Sequence, residues 1–576
     1  MNNKFTHILL RISLVISSVD CWILCAKDGE NLLMCAAVGL IAGIILCQLY
    51  FRLHQYTGTI SKIISLIVGL LFCYRLCISF YCLLITGHTS TAIIEMIADS
   101  LHLNAVIIGY FLCFGAGLIA FPSIVCGLLI IYQGLVYCWR LIDMRKLWEM
   151  SISGLSFKSF LNIIVNVGGA SILGTVLLIG AYSLPNASIE THINASAEIF
   201  KDEGVSPVLF SWCTSRLDNF TDALMLIEAS DVMDDTAINK AMLNYTGTIS
   251  DCDDPSEVLV EHYINGIKYD GIGSYPRYWH GYLVFLKPLL EFMDYYSIRM
   301  LNAVVQLLLV VLVSCLLAWR KMKGYIIPYL LSYLMLMPIA LTKSLQYSTC
   351  FYILTVAMAA ILLLYNKEKG NRIFFLFLNI GIATSYFDFL TYPIATFGVP
   401  AVLLLLMHSD CALERRLSLF TKAMFCWGFG YAGMWSLKWI IASLITGNNV
   451  ILNGLRSLLY RTLERDVFSD GSMKCSLLGC EGMNIAEFAR TPFSLLVIVF
   501  VIIMVIRISR DNYLTYSEAC KQLMPYIIVA LMPFLWYAFA LNHSYIHTAF
   551  TNKACVVSVF AITCGLVELS CLRKRE

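Results

Sequence analysis

Apolar residues in this chain fall in long runs of ~20, broken by short polar clusters, with none of the alternation that marks strands. A backbone crossing lipid must satisfy its own hydrogen bonds, so these runs predict helices. Spans are expected near 8–26, 31–51, 61–86, within 104–139, and at 161–184. More are expected near 298–319, 324–342, 347–365, 371–388, 391–407, 420–446, 491–508, 523–541 and 554–572. The pattern predicts an all-α polytopic membrane protein with about fourteen transmembrane helices.

The runs divide the chain into blocks. Residues 1–150 form an N-terminal block of about four spans, and 151–184 hold a first core span. Residues 185–297 are polar and mixed, a large loop region of helices and irregular segments. Residues 298–576 form a second bundle, interrupted by a polar loop at 447–490.

Composition agrees: 59% of residues are hydrophobic and 14% charged, with a mean hydropathy of +0.76. A soluble domain cannot hide that much apolar surface. A net charge of +2 offers no footprint for nucleic acid. No small-residue cleavage site follows Ile8–Cys25, so the N-terminal run reads as a span rather than a signal peptide. Most of the 22 cysteines lie inside apolar runs, where they act as small hydrophobes. Cys475 and Cys480 lie in a polar loop, at a spacing that a disulfide would close in an oxidising space.

Lysine and arginine set the orientation. They cluster around 140–158, 320–323, 367–372, 415–422, 507–521 and at the tail 573–575, which are expected to be cytoplasmic together with the C-terminus. The loops 185–297, 343–347, 386–392, 447–490 and 542–553 then share the outer face. All five Asn-x-Ser/Thr sequons, at Asn186, Asn194, Asn219, Asn244 and Asn542, lie on that face, as chance would also allow in Asn-rich loops.

Five polar clusters converge there. Asp218 and Asp222, four apart, would share a helix face and could act together on a proton or ligand, or could simply start a helix. Arg277, Trp279 and His280 precede an amphipathic run; the arginine and histidine suit a phosphate, and the aromatics suit a membrane interface. Lys343 and Gln346 lie in a tight outer turn, where the lysine runs against the positive-inside trend. Asp388 stands among aromatics at a span end, as a functional acid or a helix cap. His543, His547 and Lys553 form a polar tract between two apolar runs; the 543/547 spacing permits a metal but lacks the glutamate of HExxH, so phosphate or hydroxyl binding is favoured. A divalent cation is possible but not indicated, and no cofactor is called for.

This layout resembles the GT-C superfamily of integral-membrane glycosyltransferases over roughly residues 161–572. The likeness lies in a span, a large first outer loop with acidic residues and juxtamembrane amphipathic segments, then a multi-span bundle. The tracts Tyr386–Pro393 and Asn542–His547 also resemble outer-loop motifs of bacterial cell-envelope members. The resemblance implies a polyprenyl-phosphate-linked sugar donor in the bilayer, a glycan, lipid or polymer acceptor, and a bacterial plasma membrane with the site outside. It assigns the general base to Asp218, then Asp222, with Asp202 and Glu203 as rivals, and sugar stacking to Trp279 or Tyr278. A transporter or flippase, or a ligase or polymerase of lipid-linked saccharides, is the alternative. The four N-terminal spans, the depth of the acidic pair in its loop, and a lysine at 553 rather than arginine depart from the pattern.

Overall fold

The computed structural model describes residues 137, 140–153, 156–210, 213–365, 372–464, 466, 474–511 and 516–571. The four spans expected before residue 137 lie outside this set. The chain divides into two compact units. One comprises 1–142, 504–522 and 569–576; the other, Asp143–Ile503 with Leu523–Glu568, carries the candidate site.

In chain order the helices begin with α1 (Met144–Ile152), α2 (Phe157–Tyr182), α3 (Asn186–Glu203) and α4 (Asn219–Ala229). There follow α5 (Ala237–Leu243), β1 (Tyr245–Thr248), α6 (Pro255–Tyr263), β2 (Gly271–Ser274) and α7 (Leu283–Leu290). The bundle continues with α8 (Tyr295–Trp319), α9 (Ile326–Met335), α10 (Pro338–Lys343), α11 (Leu345–Leu364) and α12 (Arg372–Phe387). Next come α13 (Ile394–Leu406), α14 (Leu413–Thr446), α15 (Val450–Leu463), α16 (Leu477–Ala489) and α17 (Phe493–Asp511). The last are α18 (Tyr516–Ala530), α19 (Met532–Phe539), α20 (Leu541–Ile546), α21 (Thr548–Thr551) and α22 (Val556–Cys571).

The expected helical membrane architecture is present. Among the described residues five helical stretches are long and apolar enough to cross a membrane: Phe157–Tyr182, Tyr295–Trp319, Leu345–Leu364, Ser517–Phe539 and Thr548–Cys571. The pair α16–α17 adds a sixth if it is one span, bent by 92°. The run read as one span at 324–342 is two short helices. Pro338 lacks an N–H and pushes the preceding residue out of the helical region, and Met337 takes a left-handed φ of 57°.

Exposure separates lipid-facing from central helices. On α8, Leu301, Val304, Leu307, Leu308 and Val311 are exposed, an apolar face that lipid would cover. By contrast, every residue of α13 is buried, as expected for a helix apolar all round.

The polar block 185–297 folds onto one end of the bundle. Capping side chains start its helices: Thr236 for α5, Asp254 for α6 with Pro255 in the first turn, and Asp294 for α8. Strands β1 and β2 pair antiparallel, Tyr245 opposite Ser274. Ile189, Ile193, Phe200, Leu226, Met242 and Leu259 share a core with Leu178 of α2 and Met434 and Trp439 of α14. Cys475 and Cys480, whose spacing would allow a disulfide in an oxidising space, are not joined to each other; both are buried, Cys475 facing the Glu464 carbonyl and Cys480 the Leu541 carbonyl.

Candidate functional site

Helix α4 carries three of the acids that matter. Asp218 is its cap, accepting from the Thr221 N–H at 3.1 Å and the Thr221 hydroxyl at 2.9 Å. Half-burial and the neighbouring Asp222 push its carboxyl up to about 6. One turn later Asp222 is wholly buried and accepts from the Tyr295 hydroxyl at 2.5 Å, Leu345 N–H at 2.8 Å and Gln346 N–H at 3.0 Å. It therefore satisfies the free N–H groups at the start of α11 from another element, and is tied up as an anchor. Glu228, at the far end of α4, accepts from the Tyr282 hydroxyl and meets His280 Nδ1 at 2.7 Å. His280 Nε2 donates to the Tyr275 carbonyl at 2.8 Å. The Tyr282 hydroxyl also lies 3.1 Å from His280 Nδ1, so the three side chains form one buried cluster. His280 holds this place at a left-handed φ of 54°.

The rival acids are accounted for differently. Glu203 is clamped by Arg299 through two contacts of 2.8 and 2.9 Å; burial pushes its carboxyl up, but Arg299 holds it below the usual carboxylate range. Asp202 is exposed. Trp279 is fully enclosed, its indole donating to the Met434 carbonyl at 2.7 Å, with Lys438 and Tyr386 against its ring. It has no open face for a sugar. Tyr278 is also buried, but its hydroxyl has no partner.

The later clusters form a second group. His543 Nδ1 accepts from Arg461, and Nε2 donates to the Leu390 carbonyl at 2.8 Å, so the ring is neutral with its proton on Nε2. Burial and Arg461 hold it well below the usual histidine range, and the same causes hold His547 down to about 4. Neither ring offers positive charge at neutral pH. Asp388 is buried, accepts from the Thr391 N–H at 3.0 Å, and has its other oxygen unpartnered; burial pushes its carboxyl up. Lys553 is buried with its ammonium 4.4 Å from the centre of the Tyr347 ring. The Tyr347 hydroxyl also donates to the Arg216 carbonyl at 3.2 Å. Lys343 is half-buried beside the Asp222 anchor, its carbonyl accepting from Tyr295 at 3.3 Å. Gln346 is buried with its side-chain oxygen unpartnered.

A groove of about 750 Å³ runs between α7, α8, α11 and α12. Leu286, Val305, Ile353 and Ala360 are among its apolar lining, Met225 of α4 reaches it, and Asn302, Ser348 and Asn379 supply polar points. Leu345, whose N–H Asp222 holds, is part of the wall.

Sequence reasoning missed Glu228, Lys438 and Arg461. Lys438 is buried within an expected span and donates to the Ala241 carbonyl and Asn244; a charge inside a span was the signal. Arg461 lay in a long loop, where charge bias says little. Glu228 gave no signal beyond one acid in an apolar helix. Among the described residues no group of histidine, cysteine and acidic side chains is placed to hold a metal ion. No protein-family model, curated protein or solved structure matches the chain.

Proposed function

We propose that this membrane protein is a glycosyltransferase of the GT-C type. It would move a sugar from a polyprenyl-phosphate carrier to an envelope glycan, lipid or polymer acceptor on the outer face. The observation that carries the reading is the apolar groove between spans, walled by α11 and reaching α4, the helix that Asp218 caps. A polyprenyl tail suits such a groove. Asp218 is the base: a carboxyl raised to about 6 is still ionised at pH 7, yet takes a proton from an acceptor hydroxyl more readily than an ordinary carboxylate does. Asp222, held by three close donors, serves position rather than proton transfer. The proposal includes the finer topology of about fourteen spans, four of them in residues 1–150, with a cytoplasmic C-terminus in a bacterial plasma membrane.

The test is Asp218→Asn in membranes supplied with labelled polyprenyl-phosphate sugars. Transfer should fall by about a hundredfold or more while the protein level holds. Unchanged transfer would refute the base assignment.

A second reading, movement of a lipid-linked saccharide across the bilayer, is favoured by the break at Met337–Pro338 and the 92° bend between α16 and α17, since broken helices line transport paths. In proteoliposomes a transporter would relocate the labelled lipid without cleaving it; a transferase would release the lipid phosphate.

A further inference from the structure

Two arginines lie against neighbouring tyrosine rings without an ion-pair partner among the described residues. Arg277 Cζ lies 4.7 Å from the centre of the Tyr275 ring, and Arg461 Cζ lies 5.7 Å from that of Tyr278. The two tyrosine rings are 5.4 Å apart, edge to face. Among the described residues neither guanidinium has a carboxylate within ion-pair distance. Among the described residues Arg277 donates no side-chain hydrogen bond, and its buried Nε is unpartnered. Arg461, among the described residues, donates only to His543, which is neutral. Both arginines act on the phenol of Tyr278, whose buried hydroxyl is also without a partner. Asp388 also acts on this phenol but, among the described residues, makes an ion pair with neither arginine.

Two half-buried guanidiniums with no carboxylate paired to them leave positive charge that an anion would complete. Planar guanidinium forks match phosphate oxygens, and a free phenol adds a neutral donor.

We propose that Arg277 and Arg461 form a binding site for a phosphate-type anion, with the Tyr278 hydroxyl as a third donor. The phosphate comes either free from solution or on a lipid. The lipid source has structural support in α15. Its inward face carries Val450, Gly454 and Arg461, while Ile451, Leu452, Leu455, Leu459 and Leu463 form an exposed apolar stripe. A helix of that kind lies in a membrane interface, which puts Arg461 at headgroup level. This deepens the lipid-phosphate reading and rests on it only for the lipid source.

The experiment titrates the purified full chain in neutral detergent with inorganic phosphate and, separately, with dodecyl phosphate, following binding by calorimetry. No sugar or acceptor is present, so sugar transfer does not enter. At least one anion should bind, and Arg461→Gln or Arg277→Gln should weaken it by roughly ten- to a hundredfold. Arg277→Gln is the cleaner variant, because its side chain holds no hydrogen bond in this structure. Asp218→Asn should bind normally, which separates failure here from failure of the catalytic assignment. Binding of both anions points to the phosphate alone, and binding of dodecyl phosphate only to a lipid source. Absence of binding by either, or binding unchanged in folded Arg277→Gln and Arg461→Gln proteins, overturns the proposal.

Discussion

Replacing Asp218 by Asn keeps the cap on α4, since Asn accepts from the Thr221 N–H as Asp does. It removes a carboxyl whose folded pKa, about 6, lies above the unfolded value of ~3.9. The folded state therefore holds this proton more tightly, and stability falls as pH rises between about 4 and 6. The loss amounts to about 2–3 kcal/mol. Thermal melts of Asp218→Asn should lack that slope and be more stable than the parent at pH 7, while sugar transfer is lost. In the parent, transfer should rise through pH ~6 as the base ionises. Asp222→Ala should do the reverse: it strands the Leu345 and Gln346 N–H groups and the Tyr295 hydroxyl, costing about 3–5 kcal/mol in denaturant unfolding at neutral pH. The sequence placed these two acids on one helix face but could not tell the half-exposed one from the anchored one. That difference depends on Leu345 and Tyr295, which are remote in the chain. His543 and His547 show the same limit: their spacing was visible, but their neutrality depends on Arg461 from another helix.

Helix boundaries were far more legible, because apolar run length fixes them locally. The runs read at 161–184, 298–319 and 347–365 appear as Phe157–Tyr182, Tyr295–Trp319 and Leu345–Leu364. The break within 324–342 has a local cause, Pro338, which the apolar run around it masks in the sequence. Close packing between helices was not legible. α12 and α14 meet at Gly381 and Gly430, where an added Cβ would come within 2.1 Å of the Trp427 carbonyl oxygen and 2.2 Å of the Leu378 carbonyl oxygen. Small residues allow such approach between helices in membranes. Gly430→Leu should force the pair apart and destabilise the fold by at least about 2 kcal/mol, measured as a lower thermal midpoint in detergent. The neighbouring Gly428 has open space beside it, so Gly428→Leu should be tolerated.

For the whole molecule, the sequons provide a check on topology. Asn219, Asn244 and Asn542 are buried, and Asn186 bonds Glu190 and the Ser230 carbonyl, whereas Asn194 is exposed on α3. Expressed in eukaryotic microsomes, the folded chain should gain one glycan at Asn194 if residues 185–297 face the lumen. Asn194→Gln should abolish the gel shift; a shift that persists in this variant would mean that a buried sequon was modified before folding.

The Asp222 anchor also bears on how the chain is made. Its partner N–H on Leu345 lies 123 residues downstream. At ribosomal speeds of about 5–20 residues per second, α4 emerges roughly 6–25 s before the segment that completes it. Throughout that interval Asp222 has no donor from α11 and must stay hydrated. The 185–297 region can therefore close only after α11 has been made, which makes it a late step in biogenesis and the part most in need of protection during translation.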